Sequence, residues 1–543
     1  MPLKDSTLAK YVHNIKNSPR PLIANHRMLL TQALLALSGI PLCWDQGSSS
    51  TIPSLPGFQK DFGIISATNP GQVANFVSLV YIGAGVGAAL SFFINDRVGR
   101  LWSFRLYASI WIIGQMIAVG SRGNIATLYA ARIVSGFGIG PLTVIGPVSL
   151  VEIAPAEIRG LLTSWFSVAM LLSLFVAAFT VYGCFNHMPP TTLQWQIPFF
   201  APAIFMALVI AASFFIYESP RWLYLARRDD EATETLVLLR GLPLDHPRVQ
   251  SELSLIRASI TKERQAFGSA STYSLRGLLA VLKETFGVKS NLRRTQQAFI
   301  SYALAQLSGA NSITTYLVPV LGMVGIEGDA SYSLFVTAMY SMSKFFFTLI
   351  ASFFFVDALG RRNSLFLGIT IQMLSDVYIG VFIKFQQQGD VPVAAGQAAL
   401  AAIFIHGFGY AIGLLILPYI FVSELWPNQI RSFGAALTQC FHWLFFFGVN
   451  KGVPSLLSST NNWGAFLFFA GWCFLALIYV FVSVPETAGV PLEKLDELFE
   501  GSWWGVWRRS KELKSGGEVF EGRERDEEEV QVQIAGKDGK GAV

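Results

Sequence analysis

The sequence is short of charge for its length. Only 14% of its 543 residues are Asp, Glu, Lys or Arg, whereas 52% are hydrophobic and the mean hydropathy is +0.47. Soluble domains carry about 25% charged residues. The composition therefore excludes an ordinary soluble protein and predicts a polytopic membrane protein. The basic residues stand between apolar runs, not in one patch, so we expect no nucleic-acid partner.

Cysteine is also scarce, and the four present are Cys43, Cys184, Cys440 and Cys473. Only Cys184 falls in a predicted external loop, so we expect no disulfide framework. The polar stretch up to Arg27 has no apolar core beside a cleavage site, and it predicts no removable signal peptide. Because no Ser–His–acid set, metal-ligand cluster or phosphate loop is recognisable, we expect neither an enzyme nor a metal or other cofactor.

Long apolar runs are what the sequence has in abundance. Each is about as long as a transmembrane helix and too long for a barrel strand. The predicted runs are 28–48, 72–95, 102–122, 125–152, 160–183, 195–217, 297–324, 331–356, 363–384, 394–424, 431–458 and 462–484. Two glycine-rich stretches, 83–87 and 136–140, follow no strand and indicate close packing between helices rather than phosphate binding.

Basic residues divide the loops into two sets. The loops at 96–100, 157–159, 218–296, 357–362 and 428–431 are rich in Arg or Lys. The loops at 49–71, 182–194 and 385–396 are nearly free of them. The positive-inside rule places the first set and both termini in the cytosol.

The long polar stretch 218–296 alternates apolar and charged residues, which is typical of short amphipathic helices on the inner membrane face. A simple linker is the alternative. The sequence after Arg508 is charged and Gly-containing, and it predicts disorder.

Three signals recur in both parts of the chain, at offsets of 261 to 272 positions. They are Asp-x-x-Gly-Arg at 96–100 and 357–361, a Glu seven residues before an Arg at 152/159 and 424/431, and an acid at 218 and 486. Their common order and membrane face predict two six-helix halves. The fold class expected is therefore an all-α membrane protein with twelve transmembrane helices in two halves, with cytosolic amphipathic helices between them.

These boundaries define six segments: 1–27 (cytosolic tail), 28–217 (first half), 218–296 (helical linker), 297–484 (second half), 485–507 (cytosolic segment) and 508–543 (disordered tail). The acid–Arg loops are expected to tie helix ends together at a cytosolic gate, although they could be topology signals alone. The gate residues predicted are Asp96, Arg97, Arg100, Glu152, Arg159, Glu218, Arg221, Asp357, Arg361, Arg362, Glu424, Arg431 and Glu486.

Four strings carry a family resemblance: DRVGR at 96–100, ESPRWL at 218–223, DALGRR at 357–362 and PETAGVPL at 485–492. With them the chain resembles the sugar porter family of the major facilitator superfamily, and most closely the fungal quinate and sugar permeases. The resemblance covers residues 28 to 500. It implies a secondary transporter that works by alternating access.

Asp45 and Arg132 each lie inside an apolar run. Arg132 stands within the fourth run. Holding a guanidinium in lipid costs free energy unless it faces the protein interior and pairs with an acid. Asp45 lies ~26 Å up the first run and Arg132 ~10 Å down the fourth, at similar depth. We predict that they pair, across a wet seam between the halves. The resemblance implies that this pair couples transport to protons; a static ion pair is the alternative.

The seventh run contains Gln306, Asn311 and Tyr316, which match the family pattern QQxSGxNxxxYY. Ala305 and Thr315 replace its first Gln and first Tyr. Amide side chains both donate and accept, which suits the hydroxyl groups of a sugar or cyclitol. A spacing of five places the two amides on adjoining faces of one helix. Contacts between helices are the alternative role.

Lys344 lies near mid-depth in the eighth run, where a lysine is a functional candidate. At this position the chain resembles the quinate-type permeases, because ordinary sugar porters tend to carry an amide near this place. A cation facing the cavity would attract a carboxylate; Lys344 could instead be neutral or pair with an acid.

The tenth and eleventh runs supply further candidates. Trp443 matches the family's Asn-Trp pair, whereas His442 departs from it and could either pack as a polar residue or titrate near neutral pH. Pro418 matches the family's GPxPW, and Tyr419 stands where the family has Trp. Ser167 occupies a place where sugar porters often carry Gln.

The function expected is transport of a monosaccharide or related polyhydroxy compound with a proton. The alternatives are a quinate or carboxylated cyclitol permease, a facilitator without proton coupling, and a sugar sensor that signals through its tail. The partners expected are this small molecule, the proton and the lipid bilayer, and the chain is expected to be monomeric. The family implies the plasma membrane, with a vacuolar membrane as the alternative.

Overall fold

A computed structural model describes residues 19–64, 68–267, 275–325, 329–352, 360–389, 391–415, 426–427, 430–484 and 499. All regular secondary structure in these ranges is helical. The main helices are α1 (His26–Ala36), α2 (Ile40–Ser49), α3 (Pro70–Val98), α4 (Arg100–Val119), α5 (Ile125–Ile153), α6 (Arg159–His187), α7 (Thr192–Ala212), α8 (Asp229–Arg240), α9 (Pro247–Phe267), α10 (Leu275–Gly287), α11 (Lys289–Leu307), α12 (Ala310–Thr315), α13 (Leu317–Met323), α14 (Ala330–Ile350), α15 (Arg361–Gln386), α16 (Val393–Tyr410), α17 (Arg431–Ser459) and α18 (Trp463–Ser483).

Within the described residues, ten helical stretches are long and apolar enough to cross a membrane. They are Arg20–Ser54, Pro70–Val98, Ile125–Ile153, Arg159–His187, Thr192–Phe215, Ala330–Ile350, Arg361–Gln386, Val393–Leu415, Arg431–Ser459 and Trp463–Ser483. Two of the twelve predicted runs do not qualify. α4 begins with Arg100 and also carries Arg105, and the run 297–324 is divided into α11, α12 and α13.

Glycines let two of the long helices approach closely, as the glycine-rich stretches predicted. A Cβ atom on Gly83 of α3 would collide with the carbonyl oxygen of Ile133 in α5. A Cβ atom on Gly136 of α5 would collide with the carbonyl oxygen of Val80 in α3. The backbones of α3 and α5 are therefore in direct contact, as is common where small residues line a helix interface.

The predicted repeat is visible in local backbone geometry. Gly99 precedes α4 with φ +101° and ψ 169°, and Gly360 precedes α15 with φ +83° and ψ 155°. Ile158 and Ile430 precede α6 and α17 with φ −125° and −115°. α6 and α17 are each 29 residues long. The same turn chemistry thus starts corresponding helices at both places.

The described residues of the polar stretch 218–296 form helices, and part of them packs onto the first helices of the chain. Arg240 at the end of α8 makes a bidentate ion pair with Glu252 of α9, with N–O distances of 2.8 and 2.6 Å. Its remaining nitrogen donates to the Ile153 carbonyl at the end of α5 over 2.8 Å. Asn25 donates to the carbonyls of Leu238 and Leu239. This region is more than a simple linker.

Several predicted residues lie outside the described residues. They are Asp357, Pro418, Tyr419, Glu424 and Glu486, together with segments 1–18 and 501–543.

Candidate functional site

Asp45 and Arg132 form a buried bidentate ion pair, so the predicted contact is present. Arg132 Nη2 lies 2.9 Å from Asp45 Oδ2, and its Nη1 bonds Asp45 Oδ1. Arg132 Nε donates to the Phe76 carbonyl over 2.8 Å, and the guanidinium lies 4.9 Å from the centre of the Phe76 ring. The side chains are only 1% and 3% exposed. Three helices, α2, α3 and α5, are thereby joined around one guanidinium.

The position of this pair differs from the prediction in one respect. Asp45, Arg132 and Phe76 all belong to residues 28–217, so the pair lies inside the predicted first half and does not join the two predicted halves. Depth along a helix fixes height but not direction around the helix axis. In α2 the neighbours Cys43 and Gln46 line a cavity, whereas Asp45 is not among the residues that line it.

The cavity is small, with a volume of about 30 Å³, and it lies between α2, α6, α11, α12, α14, α16 and α17. Of the residues predicted to bind substrate, it collects Gln306, Asn311, Lys344, His442 and Trp443. The other residues that line it are Leu42, Cys43, Gln46, Met170, Leu171, Tyr302, Ala305, Tyr410, Leu414, Leu415 and Phe446. The sequence interpretation missed the three polar ones, Gln46, Tyr302 and Tyr410.

The seventh run is not one straight helix, which corrects the prediction that its amides lie on adjoining faces. α11 ends at Leu307, and α12 begins at Ala310 after Gly309, whose φ is +80°. The break turns the chain so that Asn311 Nδ2 donates to Gln306 Oε1 over 3.1 Å. A left-handed residue costs little only when it is glycine. The two amides therefore meet because of Gly309.

Around this amide pair, further polar groups complete a hydrogen-bonding surface. Asn311 also donates to the Tyr410 hydroxyl over 3.1 Å, and Gln46 Nε2 lies 3.5 Å from Asn311 Oδ1. Gln306 Nε2 lies 3.3 Å from His442 Nδ1. The Tyr302 ring lies 4.6 Å from the His442 ring. Such groups can both donate to and accept from substrate hydroxyls.

Lys344 supplies a cation to the same cavity. Its Nζ donates to Thr314 Oγ1 over 2.9 Å and lies 5.2 Å from the centre of the Tyr410 ring and 5.7 Å from that of Tyr340. The residue is 2% exposed. Among the described residues, no acid lies within ion-pair distance of Lys344. Of the alternatives left open by the sequence, pairing with an acid of the described part is thus excluded.

The predicted aromatic residues differ in their roles. Trp443 stacks on Tyr81 with ring centres 5.8 Å apart, and its indole N–H donates to Thr143 Oγ1 over 3.2 Å. Tyr316 does not line the cavity; its hydroxyl donates to the Asn450 carbonyl over 2.9 Å and ties α17 to the end of α12. Trp443 is therefore fixed by partners in residues 28–217.

A second polar cluster surrounds Arg100 at the start of α4. Its guanidinium bonds both oxygens of Glu152, at 2.9 and 2.7 Å, and Asp96 Oδ1 at 2.7 Å. The Trp222 indole donates to the Asp96 carbonyl over 3.0 Å. Helix ends from α3, α4 and α5 are thereby tied together, as expected for these loops.

Glu218 completes this cluster by capping α4. Its carboxylate accepts the backbone N–H groups of Arg100, Leu101 and Ser219, at 3.2, 3.0 and 2.8 Å. Burial raises the pKa of the Glu218 carboxyl, and the N–H groups of Ser219 and Leu101 and the charge of Arg100 act against that rise. Acids are favoured at helix N-termini, where free N–H groups collect.

The other predicted gate arginines also stand at helix ends. Arg97 is in the last turn of α3, and Arg159, Arg361 and Arg431 begin α6, α15 and α17. Arg221 Nη1 lies 3.4 Å from Ser259 Oγ. Arg362 donates to the Phe481 carbonyl of α18 over 2.7 Å.

Comparison with known proteins places this architecture among transporters. The family model for the sugar (and other) transporter family matches residues 31–499. The chain is 28% identical over 516 residues to a quinate permease of Emericella nidulans, which covers 93% of this chain and 95% of the relative. It is 29% identical over 504 residues to a probable quinate permease of Aspergillus niger, which covers 91% and 92%.

Solved structures show the same fold. The chain is similar to the proton:xylose symporter XylE bound to 6-bromo-6-deoxy-D-glucose, with a TM-score of 0.73 at 20% identity, covering 88% of this chain and 100% of that one. It is also similar to the inward-open xylose transporter XylE from E. coli, with a TM-score of 0.66 at 20% identity, covering 86% and 99%.

Proposed function

The chain belongs to the sugar (and other) transporter family, and from this premise we propose that it carries a small polyhydroxylated carboxylate together with a proton. The substrate class is that of a quinate-like cyclitol acid. As a member of this family the protein is a multi-pass membrane transporter and not an enzyme. Alternating access between the two sides of the membrane is the mode of transport.

Lys344 is the observation that carries the choice of substrate. It lines the cavity as a buried cation whose partners among the described residues are a hydroxyl and two aromatic faces. A buried charge is costly unless it is paired. A substrate carboxylate would supply the missing negative charge, while Gln306, Asn311 and Tyr410 would bond the substrate hydroxyls. The names of the quinate permease relatives support the same class.

A monosaccharide is the second candidate. The amide pair and the indole of Trp443 suit a neutral sugar as well, because Trp443 presents an apolar ring beside hydrogen-bonding groups. On this alternative Lys344 would bond a hydroxyl, and its charge would remain without a counter-charge.

We propose that the proton is taken up by Asp45. Protonation would remove the negative charge from the Asp45–Arg132 pair and release the guanidinium, which joins α2, α3 and α5. Breaking this pair would let the helices around it rearrange.

The proposed arrangement has twelve spans. To the ten qualifying stretches we add α4 and the broken α11–α13, which gives halves at 28–217 (the first half) and 297–484 (the second half). Segment 218–296, the tail 1–27, the segment 485–507 and the tail 508–543 are assigned to the cytosol. The ties around Arg100 support a cytosolic gate. We propose a monomer in the plasma membrane.

Uptake into proteoliposomes tests the substrate class. One quinate anion moving with one proton carries no net charge, whereas one sugar with one proton carries a positive charge. We therefore expect that an inward proton gradient drives quinate accumulation and that a membrane potential, negative inside, leaves it unchanged. Accumulation of labelled glucose or xylose but not quinate, with a response to the potential, would favour the monosaccharide.

Lys344→Met sharpens this test. Losing a charged hydrogen bond of about 1.5–3 kcal/mol should weaken quinate binding roughly 10- to 100-fold. Glucose binding should change little. Lys384→Met is the matched control, because Lys384 is an exposed residue of α15 whose ammonium lies over Trp463, away from the cavity. Equal losses for quinate and glucose in Lys344→Met would contradict the assigned role.

A further inference from the structure

A second buried titratable pair lies in the second half, and the transport proposal does not use it. Asp376 of α15 and His406 of α16 are both 0% exposed, and Asp376 Oδ2 lies 3.5 Å from His406 Nε2. Neither carboxylate oxygen of Asp376 has a hydrogen-bond donor among the described residues. His406 Nδ1 likewise has no partner there.

Such an arrangement disfavours a bare carboxylate. An ionised carboxylate removed from water needs donors or a counter-charge, and without them it takes up a proton. Among the described residues, the ring nitrogen of His406 is the group placed to donate to Asp376 or to accept from it. With one proton between the two groups the pair is either neutral acid with neutral imidazole, or carboxylate with imidazolium, and its net charge is zero in both cases.

Gln372 is a further polar neighbour of His406. Its Nε2 lies 3.3 Å from Ser308 Oγ and 3.5 Å from His406 Nε2. A neutral acid with a neutral imidazole is less costly to bury than a carboxylate with an imidazolium, so we place the proton on the Asp376 carboxyl group.

The same contacts connect the pair to the break in the seventh run. Ser308 is the residue between the end of α11 and Gly309, and its hydroxyl donates to the Ala305 carbonyl over 2.9 Å. The chain of contacts from Asp376 through His406 and Gln372 thus ends at the turn that brings Gln306 to Asn311.

We propose that Asp376 and His406 bind one proton between them, separate from the transported proton, and that this resident proton keeps the buried pair neutral beside the helix break. If the pair lost the proton, a net negative charge would remain buried, which is costly. The site does not touch substrate, and through Gln372 and Ser308 it contacts the turn that brings together the amides of the cavity.

The surrounding helices offer few competing groups. α14 packs against α16, and α18 packs against α15. The buried titratable residues of these helices besides the pair are Tyr340, Lys344, Tyr410 and Cys473, and Tyr479 is half-buried. Lys344 is directed to Thr314 and the cavity, and Asn311 donates to Tyr410. Tyrosine and cysteine side chains are neutral at neutral pH.

The pH dependence of unfolding tests the resident proton without any transport assay. In the unfolded chain Asp has a pKa of about 3.9 and His of about 6.5. Between these values the folded and unfolded pair each hold one proton, so stability does not change with pH. Above about pH 6.5 the unfolded pair holds none. The unfolding equilibrium constant should therefore rise tenfold per pH unit from this site.

Two single variants should change this dependence in different ways. Asp376→Asn retains a donor for His406 but holds no proton, so the tenfold rise above about pH 6.5 should disappear. His406→Gln leaves a protonated acid, so the rise should begin near pH 4 instead. All other titrating groups are shared with the wild type and cancel in the difference.

The full-length protein is unfolded in mixed detergent micelles across this pH range, and the double variant Asp376→Asn/His406→Gln serves as the folding control because it has no titratable group here. The expected result is loss of the tenfold dependence in Asp376→Asn and in the double variant. Equal dependence in the wild type and Asp376→Asn would overturn the proposal. If a single variant fails to fold, the double variant compared with the wild type gives the same decision.

Discussion

Asp45 and Asp376 are both buried carboxylates in helices of the membrane domain, one in each half, and their surroundings differ. Asp45 receives two guanidinium nitrogens, and its partner Arg132 is held further by the Phe76 carbonyl. Asp376 has only an imidazole nitrogen at 3.5 Å. An Arg cannot give up its proton, so the first pair always contains a positive charge, whereas the second pair can consist of two neutral groups.

This difference separates two uses of a buried acid. The acid paired with Arg can gain a proton only by breaking a strong ion pair, which makes protonation and helix movement one event. The acid beside His already holds its proton and loses it only at a cost, which makes the proton part of the structure. A rule that treats every charge inside an apolar run as functional would not distinguish Asp45 from Asp376.

The first helix of each half shows a parallel contrast. The chain passes from α1 to α2 through a short 3₁₀ turn at Leu37–Gly39, where Gly39 keeps a right-handed φ of −75°. At Gly309 the chain turns into the left-handed region with φ +80°. The second half therefore contains the sharper break, and that break supplies the amide pair of the cavity.

The largest expected effect is that of Asp45→Asn. Asn cannot exchange a proton, so proton-driven accumulation of substrate should be abolished. Exchange of labelled for unlabelled substrate should continue, since Asp45 does not line the cavity. Counterflow and gradient-driven uptake in proteoliposomes measure the two activities.

Asp376→Asn is the matched control for this comparison, because it removes the buried acid of the other half. It should retain accumulation. Undiminished uphill uptake in Asp45→Asn would contradict the role of the Asp45–Arg132 pair in proton coupling.

Gly309→Ala should have the next largest effect. The left-handed φ costs an alanine about 1–2 kcal/mol. The added Cβ would also lie 2.6 Å from Phe469 Cδ2, and overpacking adds about 1–3 kcal/mol. The unfolding free energy, measured in mixed micelles, should fall by about 2–5 kcal/mol, with weaker substrate binding.

Gly389→Ala isolates the backbone contribution. Gly389 has φ +94°, and no heavy atom of the described residues lies within 4 Å of its Cβ position. It should lose about 1–2 kcal/mol and leave substrate binding unchanged. Equal losses at the two glycines would mean that the contact with Phe469 contributes nothing.

The smallest effect is expected from Asp376→Asn at about pH 6. The amide replaces a protonated carboxyl group of nearly the same shape and leaves a neutral imidazole. The unfolding free energy should therefore change by about 1 kcal/mol or less. A loss of about 3–5 kcal/mol, typical of a broken buried ion pair, would show that the pair is ionised instead.

Much of the fold and part of the site could be predicted from the sequence. A guanidinium inside an apolar run requires an acid, and Asp45 was the acid at matching depth. The offset between Asp96–Arg100 and its later copy predicted the repeat, which reappears as two left-handed glycines at the starts of α4 and α15.

The features that the sequence does not predict depend on the direction of side chains around a helix axis and on breaks in the helix backbone. Helix depth does not tell which way Asp45 points, so the pair was expected between the halves instead of inside one. The break at Gly309 depends on tertiary packing, which the hydrophobicity of the run does not reveal. Asp376 and His406 were missed although Asp376 carries the same signal as Arg132, a charge within the run 363–384.

The anchoring of Arg240 has a practical consequence. The Arg240 guanidinium bonds both Glu252 of α9 and the terminal carbonyl of α5. The helices α8 and α9 therefore form an arm that is attached to the end of α5. A spectroscopic label on Leu255, which is 62% exposed on that arm, would therefore report displacement of the α5 terminus from a site well removed from the substrate.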